Sequence, residues 1–133
     1  TSTDRGILAT DLHSDGTYRD LLYVDGGVSS TQSAGVLRME GREVFRHAVE
    51  KLTKTAEIAL DKAGVGVADV DWVVPHQANI RIITSTVKKF GLPMDKVIDT
   101  VQAHGNTSAA SLHRRRPGLG RRDPAVVGRR SGA

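Results

Sequence analysis

An α/β fold with a layered sheet is predicted by three features of this sequence. Short apolar runs that stop at turn residues alternate with stretches of helical period. The two clearest helical stretches both stop at a glycine, which takes the left-handed cap conformation at little cost. One apolar run, VDWVV, is closed by Pro75, which ends a strand ladder because it has no N–H to donate.

The elements follow in order. Residues 7–12 (ILATDL) read as a strand ending at the turn signal SDG, and residues 21–24 (LLYV) as a second apolar run closed by DGG. A Ser/Gly/Thr-rich loop covers residues 28–35. From Glu43 to Ala63, the residues Val44, Ala48, Leu52, Ala56, Leu60 and Ala63 keep one apolar stripe, widened by Phe45, Val49 and Ala59. A short buried strand is expected at residues 72–74. A second helix is expected over residues 79–90, with Ile83, Val87 and Phe90 on one face and Gly91 and Pro93 as its stop. Residues 97–99 form the next expected strand, in one sheet with 7–12 and 72–74. HGNTSAAS then reads as a turn entering a third helix, with Thr107 or Ser108 able to cap it.

Composition narrows the chemistry. The chain has 133 residues and no cysteine, which removes disulfides, thiolate metal sites and any thiol nucleophile from it. No apolar run is long enough to cross a bilayer and no leader is recognisable, which favours the cytoplasm and no membrane partner. The net charge of +4 is unevenly placed: residues 1–112 hold 12 Lys+Arg against 14 Asp+Glu, and residues 113–133 hold seven Arg against one Asp. The body therefore has no global attraction to nucleic acid, and no aromatic residues interleave with the terminal arginines to stack on bases. Residues 113–133 have neither period. Their vocabulary of Arg, Gly, Pro, Ala, Val and Asp is what GC-rich codons yield when read out of frame, so two segments are expected: a partial domain at 1–112 and an irregular Arg/Gly/Pro-rich tail at 113–133. A genuine disordered basic tail has the same composition.

Two places carry candidate chemistry. VVPHQANIRI puts His76 just past a strand end, where α/β folds gather reactive groups. HGNTS puts Asn106 in a second strand-to-helix turn. A neutral imidazole and an amide NH₂ can both donate to one oxygen, and so form an oxyanion hole. Read from the residues alone, a lone histidine at a strand end is more often a structural hydrogen-bonder, and an asparagine before Thr-Ser more often a turn or cap residue.

DRGILATDLHSDG, DLLYVDGG, LRMEGREVFRHAV, DWVVPHQANIRI and AHGNTSAAS follow one another as in the β-ketoacyl-acyl-carrier-protein synthases III of the thiolase-like superfamily, and the chain from Asp4 to Ser111 resembles the C-terminal half of that family. The resemblance implies a homodimeric αβαβα fold of two similar halves. It implies an acyltransferase that starts fatty acid synthesis by condensing acetyl-coenzyme A with malonyl-acyl-carrier-protein. Acyl-coenzyme A is then a substrate, and no cofactor or metal is required. It gives His76 and Asn106 as two of three catalytic residues, the third being a cysteine in the N-terminal half. It matches Met39, Gly41, Phe45, Ala78 and Asn79 to the coenzyme A and pantetheine channel, although Phe45 serves equally as core. It matches Arg46, Arg81, Lys88 and Lys89 to the basic patch that docks the acyl carrier protein; an ordinary solvated helix face is the alternative. Arg42 stands where the family often has asparagine. After Ser111 the two closing strands and Gly-rich loop of the family give way to the arginine tail. Without a cysteine this chain by itself is expected to be inactive, and a non-catalytic carrier-protein-binding module is the other reading.

Overall fold

The computed structural model describes residues 6–112. The expected tail at 113–133 lies outside the described residues. The fold is a partial α/β arrangement of two packed helices, a two-stranded ribbon and one parallel bridge.

The ribbon pairs β1 (Leu22–Val24) with β2 (Leu37–Met39) in antiparallel register, Leu22 opposite Met39 and Val24 opposite Leu37. β1 lies in the expected apolar run, whereas β2 has no counterpart among the expected strands. The loop between them turns on Gly27, whose carbonyl accepts from the amides of Ser30, Thr31 and Gln32. Asp25 clasps its far end: Oδ1 accepts from Val36 N at 2.8 Å and Oδ2 from Arg38 Nε at 2.6 Å. Gly35 passes so close to Gly26 that a Cβ there would sit 2.5 Å from the Gly26 nitrogen, so the crossing requires a glycine.

Residues 7–12 are not a strand. No neighbouring chain among the described residues supplies ladder hydrogen bonds, and an apolar run without a partner backbone has no sheet to join. Ile7 and Leu12 are 86% and 92% exposed. The segment is tied down through Asp11, whose carboxylate accepts a hydrogen bond from Lys62 Nζ at 2.7 Å and also contacts His13. The expected single sheet reduces to one parallel bridge, in which Val73 N donates to Lys96 O and Ile98 N to Val73 O, each at 2.9 Å.

α1 (Gly41–Ala63) ends in Gly64 at φ +64°, with Val65 N bonded back to Leu60 O. That turn folds Val65 onto the core, as the left-handed cap dictates. The expected stripe of α1 is buried or half-buried except at Leu52, which is 43% exposed, while the neighbouring Thr53 is buried. Thr53 is tolerated because its hydroxyl donates to Val49 O at 2.8 Å. α2 (Ile80–Phe90) is capped by Asn79, whose Oδ1 accepts from Arg81 N at 2.9 Å, and closed by Gly91 at φ +80°. Leu60 of α1, Ile83 and Val87 of α2, and Val70, Leu92 and Val97 of the connecting segments form the core. Where the third helix was expected to start the chain makes a 3₁₀ turn, Ser108–Leu112, and an unexpected short helix, α3 (Val101–His104), precedes it across residues 105–107. Asn106 holds that junction, since its Oδ1 accepts from Ser108 N and Ser108 takes a left-handed φ of +49°.

Candidate functional site

The parallel bridge places two loops side by side, 74–79 after Val73 and 98–108 after Val97. Two polar side chains lock them together. Gln77 is completely buried, and all four hydrogen-bonding directions of its amide are used. Nε2 donates to Pro75 O at 3.0 Å and Ile98 O at 2.9 Å, while Oε1 accepts from Thr100 N at 2.8 Å and Val101 N at 3.0 Å. Such a residue fixes both loops, because its removal strands backbone groups away from water. Ser111 is 2% exposed, and its hydroxyl contacts His76 Nδ1, Gln77 N, Thr107 Oγ1 and Ser108 O. Sequence reasoning gave neither residue a role. Their signal was present in the flanking motifs: a glutamine directly after His76 and a serine closing the NTSAAS run.

His76 is exposed at the surface, with Nδ1 engaged by Ser111 at 3.0 Å and Nε2 left as the ring nitrogen for a ligand. It borders an open depression of about 540 Å³ together with Ser108, Ala109 and Ser111. Asn106 is exposed and stands outside that lining, two residues from its Ser108 wall. Because Ser108 N–H can only donate, it fixes the Asn106 amide with oxygen toward Ser108, which leaves the NH₂ as the group able to meet an anion. Among the described residues no group of three or more His, Asp or Glu is placed to hold a metal ion.

The other expected site residues divide. Met39 ends β2 and is 58% exposed; its terminal methyl lies 3.8 Å from where a Cβ on Gly41 would stand, so these two are neighbours. Phe45 is half-buried, and the Arg81 guanidinium lies over its ring at 5.6 Å, which joins a channel residue to a docking residue. Ala78 N donates to His76 O at 3.1 Å, so Ala78 helps shape the histidine loop. Asn79 spends its side-chain oxygen on capping α2. Arg46 pairs with Glu43 at 2.8 Å, which raises the Arg46 pKa and lowers that of Glu43 through the shared hydrogen bond. It also lines a smaller depression with Tyr18, His47 and Lys51, in which the Tyr18 and His47 rings are 4.2 Å apart. Lys88 and Lys89 are exposed on the last turn of α2, where cations suit the negative helix end.

Residues 60–113 match the family described as 3-oxoacyl-[acyl-carrier-protein (ACP)] synthase III C terminal. The chain is 80% identical over 112 residues to the beta-ketoacyl-[acyl-carrier-protein] synthase III of Jannaschia sp. (strain CCS1), and 74% identical over 112 residues to that of Ruegeria pomeroyi. The chain matches the C-terminal part of the synthase III family. Each of these matches covers 84% of this chain and 34% of the relative, so the chain spans about a third of the length of the curated relatives it matches, in their C-terminal part. Solved structures agree. The synthase III from Thermus thermophilus superposes with a TM-score of 0.74 at 37% identity, covering 83% of this chain and 36% of that one. The enzyme from Aquifex aeolicus gives 0.71 at 42% identity, covering 79% and 32%. The thiolase-like α/β class expected from the resemblance is thereby shown, as part of a larger fold.

Proposed function

We propose that this chain carries the histidine and asparagine portion of a decarboxylating acyl-condensing site, the activity of a β-ketoacyl-acyl-carrier-protein synthase III. The observation that supports it most is the joining of the His76 and Asn106 loops by Gln77 and Ser111, beside family motifs that match in order. In the proposed reaction the C–C bond to the malonyl carboxylate breaks and carbon dioxide leaves. The electron pair passes into the thioester, and the enolate oxygen takes the charge. His76 Nε2–H and the Asn106 NH₂ donate to that oxygen. Donors fixed before the charge appears stabilise the transition state more than the ground state. The enolate carbon then attacks an acyl thioester, expelling a cysteine thiolate. This chain holds no cysteine, so by itself it forms no acyl-enzyme and does not condense. Acetyl-coenzyme A and the malonyl-carrier-protein are its proposed substrates in a cysteine-bearing assembly, and no cofactor is required. Arg81, Lys88 and Lys89, all exposed on α2, would meet the acidic carrier protein, with Arg46 contributing less because Glu43 already neutralises it. A cytoplasmic, homodimeric setting belongs to the same reading.

The test is a chimera in which residues 6–112 replace the matching stretch of the Jannaschia relative. The chimera should condense acetyl-coenzyme A with malonyl-carrier-protein, and the isolated chain should not. In the chimera His76→Ala should lower turnover by about 10²–10³, the scale for removing one oxyanion donor. Full turnover after that substitution, or condensation by the isolated chain, overturns the assignment. A carrier-protein-binding module without chemistry is the second reading, favoured by the exposed α2 cations. It predicts carrier-protein binding by the isolated chain that is weakened by Lys88→Glu and indifferent to His76→Ala.

A further inference from the structure

We propose that Ser111 is the positioning residue for His76: its hydroxyl donates to Nδ1 and so holds the ring in the Nε2–H tautomer. The inference rests on the reading of His76 as a donor and adds the residue that makes it one. A serine hydroxyl has one proton and two lone pairs. Four groups surround that of Ser111: Gln77 N at 3.0 Å, Thr107 Oγ1 at 3.1 Å, His76 Nδ1 at 3.0 Å and Ser108 O at 2.8 Å. The Gln77 amide can only donate and fills one lone pair. The half-buried Thr107 hydroxyl donates into the other. The proton then goes to an acceptor, either His76 Nδ1 or the carbonyl of Ser108. Ser108 is exposed, so water can serve its carbonyl. Donation to Nδ1 thus satisfies all four groups together with solvent.

The opposite tautomer fails on two counts. A proton on Nδ1 would compete with Thr107 for the last lone pair of Ser111. It would also turn a bare Nε2 lone pair toward the oxygen on which negative charge develops, which repels instead of stabilising. The partner of one imidazole nitrogen decides which nitrogen carries the proton. One buried oxygen here controls both the His76 ring and the peptide nitrogen of the next residue. Gln77 in turn anchors that peptide to Ile98, Thr100 and Val101. Rotation of the ring and drift of its backbone are therefore restrained from the same point.

The experiment labels the full chain with ¹⁵N-histidine and records a two-bond ¹H–¹⁵N correlation spectrum at about pH 8, above the ordinary imidazole pKa of about 6.5. His76→Gln assigns the His76 signals. The unsubstituted chain should show the Nε2–H pattern for His76. Ser111→Ala should turn that pattern into a tautomer mixture, and Ser111→Thr, which keeps the hydroxyl, should restore it. Near-ultraviolet dichroism of Trp72 reports folding. If the alanine variant does not fold, Ser111→Cys, nearly the same size and a much weaker donor, is compared in its place. An Nδ1–H pattern in the unsubstituted chain overturns the proposal. So does a folded Ser111→Ala or Ser111→Cys chain whose His76 pattern is unchanged. The spectrum uses no substrate, so its outcome is separable from that of the condensation assay on the chimera.

Discussion

The segment up to Met39 and the segment from Thr53 onward are held by different forces. The first has no buried residue; its strands show Leu22, Tyr23, Val24, Leu37 and Met39 to solvent. What fixes it is charge and backbone geometry: Asp11 to Lys62, Asp15 to Lys51, Asp25 to Arg38, and the close pass of Gly35 over Gly26. The second holds Leu60, Val70, Ile83, Val87, Leu92 and Val97 in one cluster, with the polar Thr53, Gln77 and Ser111 buried around it. Exposed ion pairs contribute little each, whereas one buried aliphatic side chain contributes about 1.5–3 kcal/mol. The two candidate catalytic loops therefore stand on the part of the molecule that holds itself together. A two-stranded ribbon with solvent on its apolar side chains has no comparable support.

The sharpest way to break that contrast is Gln77→Ala. The Pro75 and Ile98 carbonyls and the Thr100 amide would lose their partner, the Val101 amide would keep only Asp99 Oδ1, and a loss on the order of 4 kcal/mol is expected in urea unfolding. A loss below about 1 kcal/mol would mean that the loops are joined by something else. Ile83→Ala comes next. It empties a position 2% exposed between α1 and α2 and should cost about 3 kcal/mol. Leu12→Ser, at a side chain 92% exposed, should change stability by less than about 0.5 kcal/mol but reduce binding of a hydrophobic dye. If Leu12→Ser unfolds the chain as readily as Ile83→Ala, the N-terminal segment has a core of its own and the comparison fails.

Acid should separate the two segments by a smaller effect. The Val36 amide, then Arg38, hold the Asp25 carboxyl below its ordinary range, and hydrogen bonds from Lys62 and Thr17 do the same for Asp11 and Asp15. A depressed carboxylate pKa contributes stability above the unfolded value of about 3.9, and that contribution disappears as pH falls through the folded value. Amide signals of Leu22–Val24 and Leu37–Met39 should therefore leave their native positions below about pH 4. The Ile83 signal should persist further into acid, and Asp25→Asn should flatten the ribbon's response. Simultaneous loss of both sets would show a single cooperative unit.

Local signals were legible where one residue acts on its own neighbours. Both glycine helix stops, the start of α2 near residue 79 and the Ser/Gly/Thr loop follow from short-range backbone chemistry and stand where the sequence puts them. His76 at the end of an apolar run and Asn106 in a turn were equally visible, since strand and turn punctuation is local. That residues 7–12 form no strand was not legible, because a strand is a relation between two backbones and periodicity describes only one. β2 escaped for the converse reason: three residues acquire strand geometry from β1 and the Asp25 clasp, not from their own pattern. The roles of Gln77 and Ser111 depend on groups more than 20 residues away in the chain. The sequence by itself determined the two long helices, their stops and which residues carry proton-donating groups. Only the tertiary structure decided that the two loops share one buried amide and one buried hydroxyl, because hydrogen bonds between distant segments exist only after packing has brought those segments together and excluded water from them.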